Sequence, residues 1–314
     1  MELRHLRFFV AVAEEGSLTT AAEKRLHTAQ PSLSRQMRDL EFEVGARLMT
    51  RSVKGIELTP AGRAFLDHAR LALAQVEAAG TAARRAAQPA KAVFALGFLT
   101  GQEMDWMPEA MRVLRDELPN TDVTVSSNYS PDLADALMRG RIDLAFMRRE
   151  QGADLEYKLV TREPLVVALP SDHRLAAQQD IAVRDLAGEA FIGMSSTAPT
   201  LQVVIDEYLK RSGVTLTTMH RIDNLGMAMS LVASTRGVTL LPAYTKNFLP
   251  WSVVSRPLAG EGAFIDLVVG YSKANGSATL KLFLSRLDKL IAKVAQKQEH
   301  VIAWRRRYSA AANS

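Results

Sequence analysis

Residues 86–93, AAQPAKAV, divide the chain into two kinds of pattern. Ahead of them, apolar residues recur almost entirely at helical spacing. Behind them, short β-like runs alternate with helical ones. A chain carrying both patterns in that order cannot be a single helical bundle or a single β body. Its 314 residues are also too many for one comfortable core, so two domains are expected.

In the first part, Leu3, Leu6, Phe9, Val10 and Ala13 form an amphipathic stretch that stops near Gly16. Ser17 suits the cap of a second short helix through Ala21, Ala22 and Leu26. The third helix, TAQPSLSRQMRDLE, places Pro31 in its first turn, where the amide that proline lacks would have had no partner anyway. Leu33, Met37 and Leu40 bury one side of it, and Gln30, Ser32, Ser34, Arg35 and Arg38 point elsewhere. RLMTR and GIELT, joined through SVKG, predict a hairpin with a basic tip. Thr59 as cap and Pro60 at the first turn open a long alanine-rich helix to about Arg85. Its stripe of Phe65, Leu66, Ala69, Leu73 and Val76 calls for a partner helix, most economically from a second copy.

The second part reads VFALGF, a helix over 107–118, DVTVSS, a helix over 131–138, then IDLAFM. A second series follows: EPLVVALP, AFIGMSS, helices over 199–211 and 225–234, VTLLPA and FIDLVVGYS, closed by an amphipathic helix from ATLKL. The tail from Gln296 reads as a frayed, solvated end. This alternation predicts a mostly parallel α/β sheet, arranged as two lobes of similar size with a cleft between them.

Several function classes lose their support. Cysteine is absent, which removes disulfides and thiolate metal sites. MELRHLRFFVAVAEEGS is neither a secretory signal nor a membrane span, so a cytoplasmic protein is expected. GFLTGQ is not a dinucleotide fingerprint, no phosphate loop with Gly-Lys-Ser/Thr occurs, and GMSST lacks the second glycine of a nucleophile elbow. His5, His27, His68, His173, His220 and His300 are scattered without metal-ligand spacing. No catalytic residue, metal or cofactor is therefore expected. A cytosolic two-lobed enzyme, or a solute-binding protein for a small acid, stays open as the alternative. The net charge of +5 permits nucleic-acid binding but needs a motif to support it.

Three short helices and a basic-tipped hairpin supply that motif, a winged helix-turn-helix whose third helix enters the major groove. Gln30 can offer a bidentate amide to adenine and Arg35 two donors to guanine. Ser32 and Ser34 suit phosphate or base contacts, with Pro31 and Arg38 on the same helix. Arg51 and Lys54, on or beside the wing, suit phosphates. Thr28 sits ahead of the helix, where backbone amides favour an anion.

The run from MELRHLRFFVAVAEEGSLTTAAEK through AQPSLSRQMRDLEFEVGARLMTR to ELTPAGRAFL resembles the N-terminal domain of LysR-type transcriptional regulators. The two alanines, the Gln-Pro-x-x-Ser-Arg start of the third helix, the Leu-Glu-x-x-x-Gly exit and the Leu-Thr-x-x-Gly stretch all occur in order. The rest resembles the family's periplasmic-binding-protein-like effector domain. The opening and GRIDLAFMR most resemble the branch that controls aromatic-acid degradation. The likeness implies a DNA-binding domain over 1–59, a linker and dimerisation helix over 60–90, and an effector domain over 91–314. Its lobe I covers about 91–163 and 268–302, and its lobe II about 164–267. One departure stands out. AAEKRLHTAQ is one residue longer than the family pattern, with Arg25 as the apparent extra, and a bulge or longer turn is expected to absorb it.

The resemblance also implies double-stranded DNA as partner, a homo-oligomer (a dimer of dimers) and a small effector between the lobes. Carried over by position, the effector candidates are Thr100, Gly101, Gln102, Ser130, Arg148, Ser195, Ser196, Thr200, Leu201 and Asn224. The amides of Thr200 and Leu201 suit a carboxylate, and Arg148 suits its charge. Trp106, Met107 and Leu201 suit an apolar or aromatic body. An aromatic or other carboxylic acid is the expected effector.

Overall fold

The computed structural model describes residues 1–52, 55–87, 92–151 and 153–311, and resolves the chain into two compact units that part between Gln88 and Pro89. In the first unit, α1 (Leu3–Glu15) ends at Gly16 in the left-handed region. Ser17 caps α2 (Leu18–Thr20), its hydroxyl accepting the Thr20 amide at 3.3 Å. α3 (Gln30–Val44) carries Pro31 in its first turn and stops at Gly45, also left-handed. β1 (Met49–Ser52) pairs antiparallel with β2 (Gly55–Leu58), Met49 opposite Leu58 and Ser52 opposite Gly55. α4 (Pro60–Ala87) is capped by Thr59, whose hydroxyl accepts the Gly62 amide at 2.9 Å. One core, with Phe9, Val12, Ala22, Leu33, Leu40 and Leu48 at its centre, joins these elements.

The extra residue of AAEKRL is accommodated by a change of helix type. Ala21–Leu26 is a π-helical turn, closed by His27 in the left-handed region. A π-turn takes one more residue per closure than an α-turn, so the chain reaches α3 without unseating its core contacts. Ala22 stays buried, and Leu26 packs against the same core. Arg25 is turned outward, where it pairs with Glu14 and lies 3.8 Å from Glu15. Arg70 reaches the same Glu14 at 2.8 Å. Burial works against the charged form of Glu14, but the two guanidinium groups prevail and hold its carboxyl below the usual range.

In the second unit, β3 (Ala92–Leu99) leads to α5 (Glu103–Glu117), β4 (Thr121–Asn128), α6 (Ser130–Met138) and β5 (Leu144–Met147). β6 (Leu155–Pro170) is a sixteen-residue strand. Then come β7 (Phe191–Met194), α7 (Pro199–Arg211), β8 (Thr218–Ile222), α8 (Leu225–Thr235) and β9 (Thr239–Pro242). β10 (Val253–Pro257), β11 (Phe264–Ser272) and α9 (Ala278–Ala311) complete it.

The main sheet is mixed, not mostly parallel as the alternation suggested. Its order is β10-β6-β11-β5-β3-β4, with β9 also on β6. Only the β3 pairings with β4 and β5 are parallel, and β7 pairs parallel with β8 in a separate sheet. β6 and β11 pair antiparallel, and both strands are shared by two cores. Val160 of β6 and Leu267 and Val269 of β11 belong to a core with Phe94, Phe146 and Phe283. Leu165, Val167, Ala168 and Leu169 of β6 and Ile265 of β11 belong to another, with Ile192, Ile205 and Leu240. The pairing of β11 with β6 shifts register between Leu267 and Val268, within the part of the two strands that serves the Phe146 core.

Two helices differ from their expected limits, and two strands were not expected. α5 starts at Glu103, not 107, and carries Pro108 as its sixth residue, past the first turn, where proline removes one helical hydrogen bond. β8 and β10 were not anticipated, since neither shows clean alternation. α9 continues through Ala311 instead of fraying at Gln296, consistent with the high helix propensity of a stretch rich in Lys, Gln, Glu, Ala and Arg. α9 is fixed to α5 by Glu109, which is buried beneath Arg112, Lys293 and Lys297. Hydrogen bonds from Lys297 and Arg112 lower its carboxyl pKa to about 2.

Candidate functional site

The third helix of the first unit separates its side chains cleanly. Leu33, Met37 and Leu40 are buried, while Pro31, Ser32, Arg35 and Arg38 are exposed and Thr28, Gln30 and Ser34 half-buried. Arg35 is held only loosely, its Nε 4.0 Å from Asp39 on the same helix and its side chain 79% exposed. Ala29 at the N-cap offers no side-chain oxygen, so the first-turn amides lack a side-chain cap. The Thr28 amide donates to the Ala22 carbonyl at 3.0 Å, tying the start of α3 to the π-turn. Arg51 lies in β1 opposite Ile56. Its side chain, and Lys54 altogether, lie outside the described residues.

In the second unit a narrow cleft, about 30 Å³ in volume, opens where strand ends and helix starts converge. Leu99 ends β3, Tyr129 and Ser130 open α6, and Arg148 and Glu150 follow β5. From the other core come Met194 at the end of β7, Thr197 to Leu201 leading into α7, Leu225 at the start of α8, and Pro242 and Tyr244 after β9. Ligands of open α/β sheets favour this crevice beyond the carboxyl ends of strands.

Arg148 is the polar centre of the wall and only 4% exposed. Its amide donates to Ser130 Oγ at 2.9 Å, and its Nη2 pairs with Glu163. Gln102 Nε2 donates to both oxygens of Glu163, at 2.8 and 3.1 Å, and Gln102 Oε1 accepts from Trp106 Nε1 at 3.0 Å. Trp106 in turn stacks on Phe146, centroids 5.7 Å apart. Gln102 and Trp106 therefore stand behind Arg148 and orient it, and do not line the cleft. Met107 packs with them on the Phe146 core. Thr100 and Gly101 act one step back as well. The Tyr244 hydroxyl donates to the Thr100 carbonyl at 3.1 Å. Gly101, at φ +94°, leaves room for the Tyr244 ring, which a Cβ would approach to 2.7 Å.

Thr200 and Leu201 do line the cleft. Thr200 Oγ1 donates to the Arg149 carbonyl at 2.9 Å and lies 3.4 Å from Glu150 Oε1. Ser195 is occupied with Thr197, hydroxyl to hydroxyl at 3.0 Å, and Ser196 is exposed. Asn224 caps α8, accepting the Met227 amide at 2.8 Å, and its Nδ2 donates to Asp223. None of these three lines the cavity. Tyr129, Glu150, Met194 and Tyr244 do line it and were not anticipated. Tyr129 and Glu150 lie one and two residues from Ser130 and Arg148, so flanking position was the available signal. Burial pushes the Tyr129 and Tyr244 hydroxyls up and the Glu150 carboxyl up to about 7. Among the described residues no cluster suits a metal ion, and no helix is long and apolar enough to cross a membrane.

Residues 3–63 match the model of the bacterial regulatory helix-turn-helix protein, lysR family, and residues 87–291 match the LysR substrate binding domain. The chain belongs to the LysR family. This LysR-family chain is 36% identical over 299 residues to the Hca operon transcriptional activator HcaR of Escherichia coli K12, covering 94% of the chain and 99% of that protein. It is similar to full-length BenM, a regulator of Acinetobacter baylyi. That solved structure has 28% identity, covers 95% of this chain and 98% of its own, and gives a TM-score of 0.57. Full-length CbnR, solved with its target DNA, shares the fold at 24% identity and TM-score 0.54, covering 93% of this chain and all of its own. The LysR-family chain is accordingly a DNA-binding transcription regulator with an effector-binding domain, and the relatives named are transcription regulators.

Proposed function

We propose that α3 reads operator bases through Gln30, Ser32, Ser34 and Arg35. Thr28, Pro31, Arg38, Arg51 and Lys54 set its position on the phosphates. The observation that carries this reading is the exposed polar start of α3, backed on its other side by buried Leu33, Met37 and Leu40. The cleft around Arg148 takes a small carboxylic acid with an apolar body, and the acid favours one arrangement of subunits on DNA over another. α4 pairs two copies, and two such pairs form the working tetramer. The protein is not an enzyme and works in the cytoplasm, where it meets its operator. Residues 1–59, 60–90 and 91–314 are the reading, pairing and sensing segments.

Footprinting on the intergenic duplex upstream of the neighbouring gene tests this reading, with and without benzoate and aliphatic carboxylates. The expected result is a protected, imperfectly palindromic site whose half-sites lie whole turns of about 10 base pairs apart and whose protection pattern changes with an acid. Protection that no acid alters would remove the carboxylate from this reading.

A further inference from the structure

Arg148 Nη1 is buried beside the cleft with no hydrogen-bond partner among the described residues, and the Tyr129 hydroxyl, on the same wall, is met by the Leu225 main chain. A guanidinium nitrogen is costly to leave so, and both groups can donate to an acceptor. The rest of the wall is mainly apolar, from Leu99, Met194, Leu201, Leu225 and Pro242. Arg148 is already neutralised on its other nitrogen by Glu163. An acid anion arriving at Nη1 therefore brings an uncompensated negative charge into a closed space.

Glu150 stands on the same wall, two residues further on. No ion pair forms at its carboxyl among the described residues. Thr200 reaches it from α7. Tyr157 of β6 donates to its main-chain carbonyl at 3.4 Å, and Arg149 lies over the Tyr157 ring, 4.7 Å from its centroid. Tyr129, Tyr244 and Arg148 line the same cleft, and Asp223 acts on Tyr129.

We propose that the cleft takes a monocarboxylic acid, its carboxylate on Arg148 Nη1 and the Tyr129 hydroxyl, and that Glu150 binds a proton from solvent as the acid enters. This rests on the cleft reading given above. Burial, offset in part by the Thr200 hydroxyl, raises the free carboxyl to about 7, and a bound anion raises it further. Affinity is thus highest below about pH 7, falls as pH rises through that value, and levels off above the pKa of the bound state.

Calorimetric titration of the full chain with benzoate tests it, at pH 6 to 9, in Tris and in HEPES where both buffer. For benzoate the wild type is expected to take up protons at pH 8, with affinity falling by up to about tenfold per pH unit above 7. Glu150→Gln is expected to bind benzoate with a flat profile and no proton uptake. A flat wild-type profile without proton uptake overturns the inference and leaves the cleft reading standing. Binding of neutral benzamide with no binding of benzoate overturns both.

Discussion

Arg148→Met is expected to abolish the response to acid, weakening carboxylate binding by at least 100-fold. Truncating one member of a buried, hydrogen-bonded charge pair costs about 2–5 kcal/mol in binding systems, much of it from the partner left behind. Here that partner is Glu163, which keeps only the Gln102 amide once the guanidinium is gone. The second unit should therefore also melt at lower temperature, and Arg148→Lys separates the two effects. A lysine restores the charge opposite Glu163 but not the second nitrogen facing the cleft, so it should recover stability and not affinity. Calorimetry with benzoate and thermal unfolding by circular dichroism check both variants. Affinity retained in Arg148→Met would place the carboxylate elsewhere.

Gly62→Ala is the second substitution with a large expected effect, and it acts on the other unit. A Cβ at Gly62 would lie 1.9 Å from the Leu48 carbonyl oxygen, which cannot yield as a flexible side chain does. Around it, the Thr59 hydroxyl donates to the Arg47 carbonyl at 2.7 Å, and the Thr59 amide donates to the Leu48 carbonyl at 3.0 Å. The start of α4 is thus stitched to the chain leading into β1, and a methyl group forces the two apart. Overpacking commonly costs about 1–3 kcal/mol, and a clash with backbone belongs at the top of that range. The variant should lose cooperative unfolding of the first unit and specific operator binding, and keep acid binding in the second. A variant that melts with the wild type and shifts operator normally would show that α4 and the wing are not coupled through this contact.

Much of this was legible in the chain before any coordinates. The helix start at Pro31, the caps at Ser17 and Thr59 and the left-handed stops at Gly16 and Gly45 are local chemistry, and local chemistry is written in adjacent residues. Arg148, Thr200 and Leu201 were legible as cleft residues because they follow a strand end or open a helix. What escaped depends on contacts far apart in sequence. Gln102 and Trp106 sit at the expected strand end, yet they turn inward because Glu163, 61 residues from Gln102, offers a buried acceptor there. Tyr244 enters the cleft only because Gly101 gives up its side chain to make room. The mixed sheet escaped for a similar reason. β6 looks like an ordinary strand over its second half, and only its pairing with β11 shows that it serves two cores. The one-residue excess at Arg25 was visible as an anomaly, but its outcome as a π-turn was not, since a bulge and a longer turn satisfy the sequence equally.

The proposal most in need of a direct test is that base edges are read by the exposed start of α3. Fluorescence anisotropy with the footprinted operator and a scrambled duplex of equal length, across a salt series, provides that test for Arg35→Ala and Lys54→Ala. The account predicts that Arg35→Ala loses about 1–3 kcal/mol on the operator and little on the scrambled duplex. Lys54→Ala should weaken both alike and flatten the salt dependence. Equal losses on both duplexes from Arg35→Ala, with an unchanged ratio between them, would contradict it.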